Sequence, residues 1–130
     1  MPYEIEFSKP VQVDDPEEYF NECCYGGDVV SDQLLPIISE RYTNVQANQE
    51  DWGWFIWFRE GAVSLGVDIF CDDPATGAFR LHVTSRKKRW LLRRVVDTPE
   101  LEGLKELVVA RLSEWVGKAI EVRRLDGNFC

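Results

Sequence analysis

The sequence has little of what metal centres and common catalytic motifs require. Its 130 residues include one histidine, His82, and four cysteines, none of them spaced as Cys-x-x-Cys. Zinc sites are built mostly from cysteine and histidine, so this composition argues against one. The chain also has no glycine-rich phosphate loop, no Gly-x-Ser-x-Gly elbow and no His-Glu-x-x-His helix. We therefore expect no metal and no cofactor, and the motifs do not favour an enzyme.

Long apolar runs are absent as well. No apolar stretch reaches the roughly 18 residues of a transmembrane helix, and the acidic, alternating start is unlike a signal peptide. Cys23 and Cys24 are adjacent, which suits a disulfide framework poorly, and Cys71 and Cys130 are distant from them in sequence. We expect reduced thiols, no membrane contact and a cytoplasmic location.

Acidic residues dominate, but unevenly. The net charge is −8; residues 1–78 contain 16 acidic and 3 basic side chains, whereas residues 79–130 contain 7 acidic and 12 basic ones. The length is that of one domain, so residues 1–130 are predicted to form a single domain with its own core. The acidic part suits a basic protein partner.

Seven basic and no acidic residues lie between Arg80 and Arg94, with Trp90 inside the run. Basic side chains beside an aromatic ring are typical of nucleic-acid contacts. The acidic remainder of the chain would repel a polyanion, which disfavours nucleic acid as a partner. These side chains are instead expected to pair with the acidic half of the same chain or of a second copy.

The hydrophobic pattern predicts an α+β fold. Alternating residues predict strands at 3–7, 51–59, 63–71, 79–84 and 119–125, with 90–96 either a strand or a helical turn. The polar segments 43–50 and 85–89 are predicted as loops. The resulting antiparallel sheet has about five strands, with a central meander over 51–85.

Two or three helices are predicted to pack on one face of this sheet. Thr98-Pro99 and Gly117 bracket an amphipathic helix. Asp15-Pro16 begins a shorter helix that ends at Gly26-Gly27, and Ser31-Asp32 begins another; the alternative to these two short helices is one helix broken by the glycines.

The aromatic strand 51–59 has too many apolar side chains for one buried face. Alternation divides it into one set with Trp52, Trp54, Ile56 and Phe58, and another with Gly53, Phe55, Trp57 and Arg59. A two-residue turn at Glu60-Gly61 places Phe58 opposite Val63 and Phe55 opposite Gly66, with the first set facing the helices. A slip of one residue reverses the faces. The candidate binding residues on the second face are Phe55, Trp57, Asp68, Arg80, His82 and Thr84.

An open face with two large aromatic rings among polar groups is typical of a binding surface. The alternatives are a seam with a second copy of the chain, or cover from the N-terminal segment. Asp68 faces either Arg80 or His82, and an Asp–His pair can act as a general base. No motif places a serine or cysteine nucleophile beside this pair, so a structural role is favoured.

We predict a non-catalytic domain that acts by contact with a basic protein or with a second copy of itself, through the sheet face or the acidic N-terminal helices. In its small size, acidity, tryptophan content and lack of motifs, the chain is similar to bacterial immunity proteins of secreted-toxin systems. The alternative is a small-molecule-binding module or enzyme with a pocket near Trp57, His82 and Arg80. A pocket that reaches His82 favours this alternative, and a flat aromatic patch favours protein contact.

Overall fold

A computed structural model describes residues 2–13, 15–89, 92–118 and 120–125. Two single 3-10 turns, Pro16–Glu18 and Glu22–Cys24, precede the first α-helix. The helices and strands in chain order are β1 (Tyr3–Ser8), α1 (Gly27–Arg41), β2 (Gln46–Glu50), β3 (Gly53–Glu60), β4 (Val63–Asp73), β5 (Ala78–Arg89), β6 (Leu92–Val95), α2 (Pro99–Val116) and β7 (Glu121–Arg124).

All strands belong to one antiparallel sheet with the order β2-β3-β4-β5-β1-β7. The short strand β6 pairs with the end of β5 at Arg86–Arg89, beyond the part of β5 that pairs with β1. The predicted α+β class and the central meander are confirmed. The sheet has seven strands in the described residues rather than about five, because β2 and β6 add to the predicted set.

Both α-helices pack on the same face of the sheet, where the hydrophobic core lies. Their contacts with β1, β3, β4 and β5 enclose the apolar side chains of those strands. Fully buried residues include Ile5, Ile56, Val67, Leu81, Val30, Leu34, Leu104 and Leu112. Within the described ranges, neither helix is long and apolar enough to cross a membrane.

The prediction for α2 is confirmed at both ends. The Thr98 hydroxyl accepts a hydrogen bond from the Leu101 amide at 3.1 Å, Pro99 takes the first position, and Gly117 ends the helix with φ 78°. These are the N-cap and the left-handed terminus that the sequence indicates.

The prediction of two short helices before residue 43 is wrong. Asp15 caps only a 3-10 turn, and α1 begins at Gly27 rather than near Ser31. A Cβ at Gly27 would lie 1.9 Å from Trp54 Cδ1, so this glycine permits α1 to start against the indole instead of ending a helix. Pro36 is accommodated inside α1 at an exposed position.

Two segments predicted as loops are strands. Residues 46–50 form β2, an edge strand whose side chains are largely exposed, so no alternation of apolar residues marks it. β5 continues through 85–89, where it pairs with β6. The ambiguous segment 90–96 contains the strand β6, while Trp90 and Leu91 lie outside the described residues.

The predicted register of the β3–β4 hairpin is wrong by two residues. Gly61 and Ala62 form the turn, with φ 61° at Gly61, so Phe58 pairs with Leu65 and Trp57 with Gly66. Glycine adopts that left-handed conformation without strain, which explains the position of the turn. A shift of two leaves the side chains from Trp54 to Arg59 on their predicted faces.

Candidate functional site

The face of the sheet opposite the helices, called the open face below, contains all six candidate binding residues. One cross-strand row runs from Phe55 through Asp68, His82 and Glu4 to Arg123, each residue pairing with the next. His82 therefore lies directly opposite Asp68. The N-terminal strand β1 contributes Glu4 to this row from within the sheet, so it does not cover the face as one alternative proposed.

Three aromatic side chains, Trp52, Phe55 and Trp57, form what we call the aromatic strip. The rings of Phe55 and Trp57 are stacked, with centroids 5.3 Å apart and an interplanar angle of 14°. Trp52 meets Phe55 edge-on at 6.2 Å and is 41% exposed. A Cβ at Gly66 would lie 2.9 Å from Phe55 Cε1, so the glycine makes room for this ring.

Trp52 departs from the predicted alternation. The pattern assigned it to the same face as Trp54, yet it lies in the β2–β3 turn and contacts Phe55. The cause is Gly53, which has φ 151° and whose Cβ would lie 2.0 Å from the Ile69 carbonyl oxygen. Trp54 remains on the core side, where its indole N–H donates to the Cys24 carbonyl oxygen at 3.0 Å.

A cleft of about 410 Å³ opens at the Trp57 end of the aromatic strip. Its lining residues are Thr43, Asn44, Gln46, Phe55, Trp57, Phe58, Arg59, Ser64, Leu65 and Arg86. The volume is within the range of small-ligand sites. His82 and Arg80 are not part of this lining, so the cleft has one of the three residues that the alternative function required.

His82 is buried, with 3% of its surface exposed, and is bound to Glu4. His82 Nε2 lies 3.0 Å from Glu4 Oε1, and because a carboxylate only accepts, this nitrogen donates. Arg123 Nε donates to Glu4 Oε2 at 2.5 Å. Burial would raise the pKa of Glu4, but the hydrogen bonds from His82 and Arg123 outweigh it and lower the pKa. This carboxylate ties β5, β1 and β7 together.

Arg80 contacts Asp72 and Phe70. Its Nε lies 3.1 Å from Asp72 Oδ2, and its guanidinium stacks 4.5 Å above the Phe70 ring. The same Phe70 ring contacts His82 at 5.2 Å between centroids. Arg80 and His82 thus form a cluster separate from the aromatic strip.

Asp68 lies between the aromatic strip and the cluster of Arg80 and His82, since it pairs with Phe55 on one side and with His82 on the other. Burial raises the pKa of its carboxyl, while Arg86, His82 and the Trp52 side chain act in the opposite direction without cancelling it. Thr84 is fully buried, and its hydroxyl oxygen accepts a hydrogen bond from Arg86 Nη1 at 3.1 Å. The binding roles of these two residues stay predictions.

Three of the four cysteines lie within the described residues. Cys23, Cys24 and Cys71 are free, and burial raises the pKa of Cys71 to about 11, so that thiol is protonated at neutral pH. Cys130 lies outside the described residues. Among the residues that the structure describes, no cluster of histidine, cysteine and carboxylate side chains is placed to hold a metal ion.

A second surface feature, the acidic corner, is formed by residues 15–22 packed on the β2–β3 turn. The Phe20 amide donates to Gln49 Oε1 at 2.9 Å, and Asn21 Nδ2 donates to the Asp51 carbonyl oxygen at 2.6 Å. Phe20 is 63% exposed there. Because Trp52 directly follows Asp51, the acidic corner adjoins the exposed end of the aromatic strip.

Comparison with protein families, with curated proteins and with solved structures found no match. The site is therefore interpreted from its own geometry.

Sequence reasoning missed several residues of this surface. Arg59 and Arg86 share the alternation of Trp57 and Thr84, which is a signal that was available in the sequence. Phe20 falls within the predicted helix that ends at Gly26-Gly27, and Glu4 within the predicted strand 3–7, and neither was among the candidate binding residues. Phe20 is exposed because this segment forms 3-10 turns instead of a packed helix. Glu4 is buried because β1 pairs with a strand on each side.

Proposed function

We propose that this protein is a cytoplasmic, non-catalytic domain that binds a basic protein partner through the acidic corner and the aromatic strip. The observation that carries the proposal is the continuity of these features. Phe20 and Trp52 are both exposed, Asn21 after Phe20 is hydrogen-bonded to Asp51 before Trp52, and Trp52 leads through Phe55 to Trp57. Exposed aromatic anchors beside charged groups are characteristic of protein interfaces.

The charge of the acidic corner specifies the class of partner. The acidic residues of this corner are Asp15, Glu17, Glu18 and Glu22, and the longer range 10–40 contains no lysine or arginine. Such a concentration of one sign attracts a basic surface and accelerates its association. A basic protein is also the partner that the similarity to immunity proteins implies.

The corner is held in shape before any partner arrives. Besides the hydrogen bonds made by Phe20 and Asn21, Gln49 Nε2 donates to the Glu18 carbonyl oxygen at 3.1 Å. Asn21 Oδ1 also accepts from the Cys23 amide at 2.9 Å. A surface that is already ordered loses less conformational entropy on binding, which favours affinity.

The buried cluster of His82 supports a binding function over a catalytic one. His82 Nε2 is hydrogen-bonded to Glu4, and His82 is not among the residues that line the cleft. A structural role for His82 accounts for these contacts without a substrate.

The experiment is an affinity capture with the purified protein as bait, in an extract of the cells that encode it. We expect wild type to retain a protein of basic isoelectric point, and Trp52→Ala, Phe20→Ala and Trp57→Ala to retain less of it. Val122→Ala is the matched control, because Val122 is 39% exposed on β7, at the other edge of the sheet. Retention that falls as salt rises identifies the charge contribution.

Light scattering on the same variants separates self-association from partner binding. A monomer that keeps its mass in Trp57→Ala agrees with the proposal. A wild-type dimer that becomes monomeric in Trp57→Ala would assign the aromatic strip to a seam between two copies instead.

A further inference from the structure

We infer that the cleft beside Trp57 is a binding site for a small aromatic anion, meaning a planar ring that carries a carboxylate or a phosphate. The inference concerns the opposite end of the aromatic strip from the acidic corner. It stands independently of the proposed contact with a basic protein.

The cleft is cationic in a protein whose net charge is −8. Its described lining includes two arginines and no aspartate or glutamate. Arg86 donates to the Thr84 hydroxyl, and the described residues offer neither Arg59 nor Arg86 an ion-pair partner within 4.0 Å. The Asp68 carboxylate interacts electrostatically with Arg86, which lowers the pKa of Asp68 against the effect of burial. The two guanidinium groups are therefore available to an external anion.

The strand register brings these two arginines to one anion position. Ser64 on β4 pairs with Arg59 on β3 and with Arg86 on β5, so the three side chains form one row on the open face. Guanidinium groups match the planar geometry of carboxylate and phosphate oxygens, which lysine does not.

The aromatic part of the ligand is specified by the adjoining wall. Trp57 precedes Arg59 by two residues on β3, so its indole lies on the same face one step along the strand. Its ring is already stacked with Phe55, which orients it. A planar ring that stacks beside Trp57 places its anionic substituent towards Arg59 and Arg86. The polar groups of Thr43, Asn44 and Gln46 form the rest of the rim.

The test is a titration of the full-length protein with phenyl phosphate and, in a separate arm, with benzoate, followed by tryptophan fluorescence and by calorimetry. We expect saturable binding of one of them with a Kd below about 1 mM. Inorganic phosphate lacks the ring and benzyl alcohol lacks the charge, so each is expected to bind at least about tenfold more weakly. The arm that saturates tells phosphate from carboxylate.

Arg59→Gln and Arg86→Gln are each expected to weaken binding by about tenfold or more, whereas Phe20→Ala leaves it unchanged. Circular dichroism on every variant verifies the fold. No saturable binding of either ring-bearing anion by wild type, or equal binding by the double variant Arg59→Gln/Arg86→Gln, would overturn the inference. Neither result bears on capture of a basic protein, because Arg59 and Arg86 belong neither to the acidic corner nor to the aromatic strip.

Discussion

Phe55 lies over Gly66, on the strand next to its own, and is held there by its stack with Trp57. The Phe55 ring occupies the space that a side chain at Gly66 would fill. The two residues are diagonal neighbours, because Gly66 is paired with Trp57 and not with Phe55. An aromatic ring placed over a glycine in a neighbouring strand buries part of its surface without a helix above it. This relationship fixes the aromatic strip in a rigid, defined position on the open face.

Gly66→Ala should displace the Phe55 ring. The new Cβ would lie 2.9 Å from Phe55 Cε1, so we expect a loss of about 1 kcal/mol in the free energy of unfolding, with altered near-ultraviolet circular dichroism. Urea denaturation measures the loss. In a Phe55→Leu background the same substitution should cost little, and an equal cost in both backgrounds would show that the ring is not the obstacle.

Gly27→Ala should be more damaging than an ordinary helix substitution. Its Cβ would lie 1.9 Å from Trp54 Cδ1, and displacing that indole breaks its hydrogen bond to Cys24. We expect a loss of about 2 kcal/mol or more and a red-shifted tryptophan emission. Gly103→Ala on α2 is the control, because the nearest atom to its Cβ would be Arg41 Nη2 at 3.5 Å, an ordinary contact distance. That substitution should stabilise by up to about 1 kcal/mol, and similar results for the two glycines would contradict the close packing of Gly27 on Trp54.

Glu4→Gln should destabilise the protein at neutral pH, by about 1.5–3 kcal/mol, because it weakens charge-assisted hydrogen bonds with His82 and Arg123. The lowered pKa of Glu4 means that its ionised form stabilises the fold above the ordinary pKa of a glutamate. This contribution is lost as the pH falls through the lowered pKa. The stability difference between wild type and Glu4→Gln should therefore shrink on acidification, and a difference that is constant with pH would contradict the assignment.

Asp68→Asn should stabilise the protein at neutral pH, whereas Glu4→Gln destabilises it. The pKa of Asp68 is raised, chiefly by burial, so ionising it costs stability as the pH rises from its ordinary pKa to the raised one. The neutral amide avoids this cost, and we expect Asp68→Asn to gain about 1 kcal/mol at neutral pH. The gain should vanish below the ordinary pKa of an aspartate. Thermal unfolding across pH measures it, and a destabilised Asp68→Asn at neutral pH would refute it.

The sequence predicted the elements whose side chains alternate between core and solvent. β4 and the first half of β5 have one apolar and one polar side, and α2 has an apolar stripe with a cap at each end, so all three were recognised. β2 was missed because neither of its faces is buried, and the end of β5 was missed because it is basic. Backbone hydrogen bonds hold these segments in the sheet, and such bonds do not require particular residue types.

The candidate site was predicted at the level of faces but not of contacts. Phe55 and Trp57 were assigned to the open face even though the hairpin register was wrong, since an error of two residues preserves the face. The contacts that divide the site into two clusters depend on positions distant in sequence, above all the pairing of Glu4 with His82 across β1 and β5. Local periodicity does not contain that information.

The central claim is that the acidic corner and the aromatic strip bind a basic protein, and titration calorimetry on the captured partner tests it most directly. The purified partner is titrated into wild type, Phe20→Ala/Trp52→Ala and Val122→Ala. The account predicts that the double variant weakens binding by at least about tenfold, that Val122→Ala binds as wild type does, and that added salt weakens all of them. Equal affinity for wild type and the double variant would contradict the account.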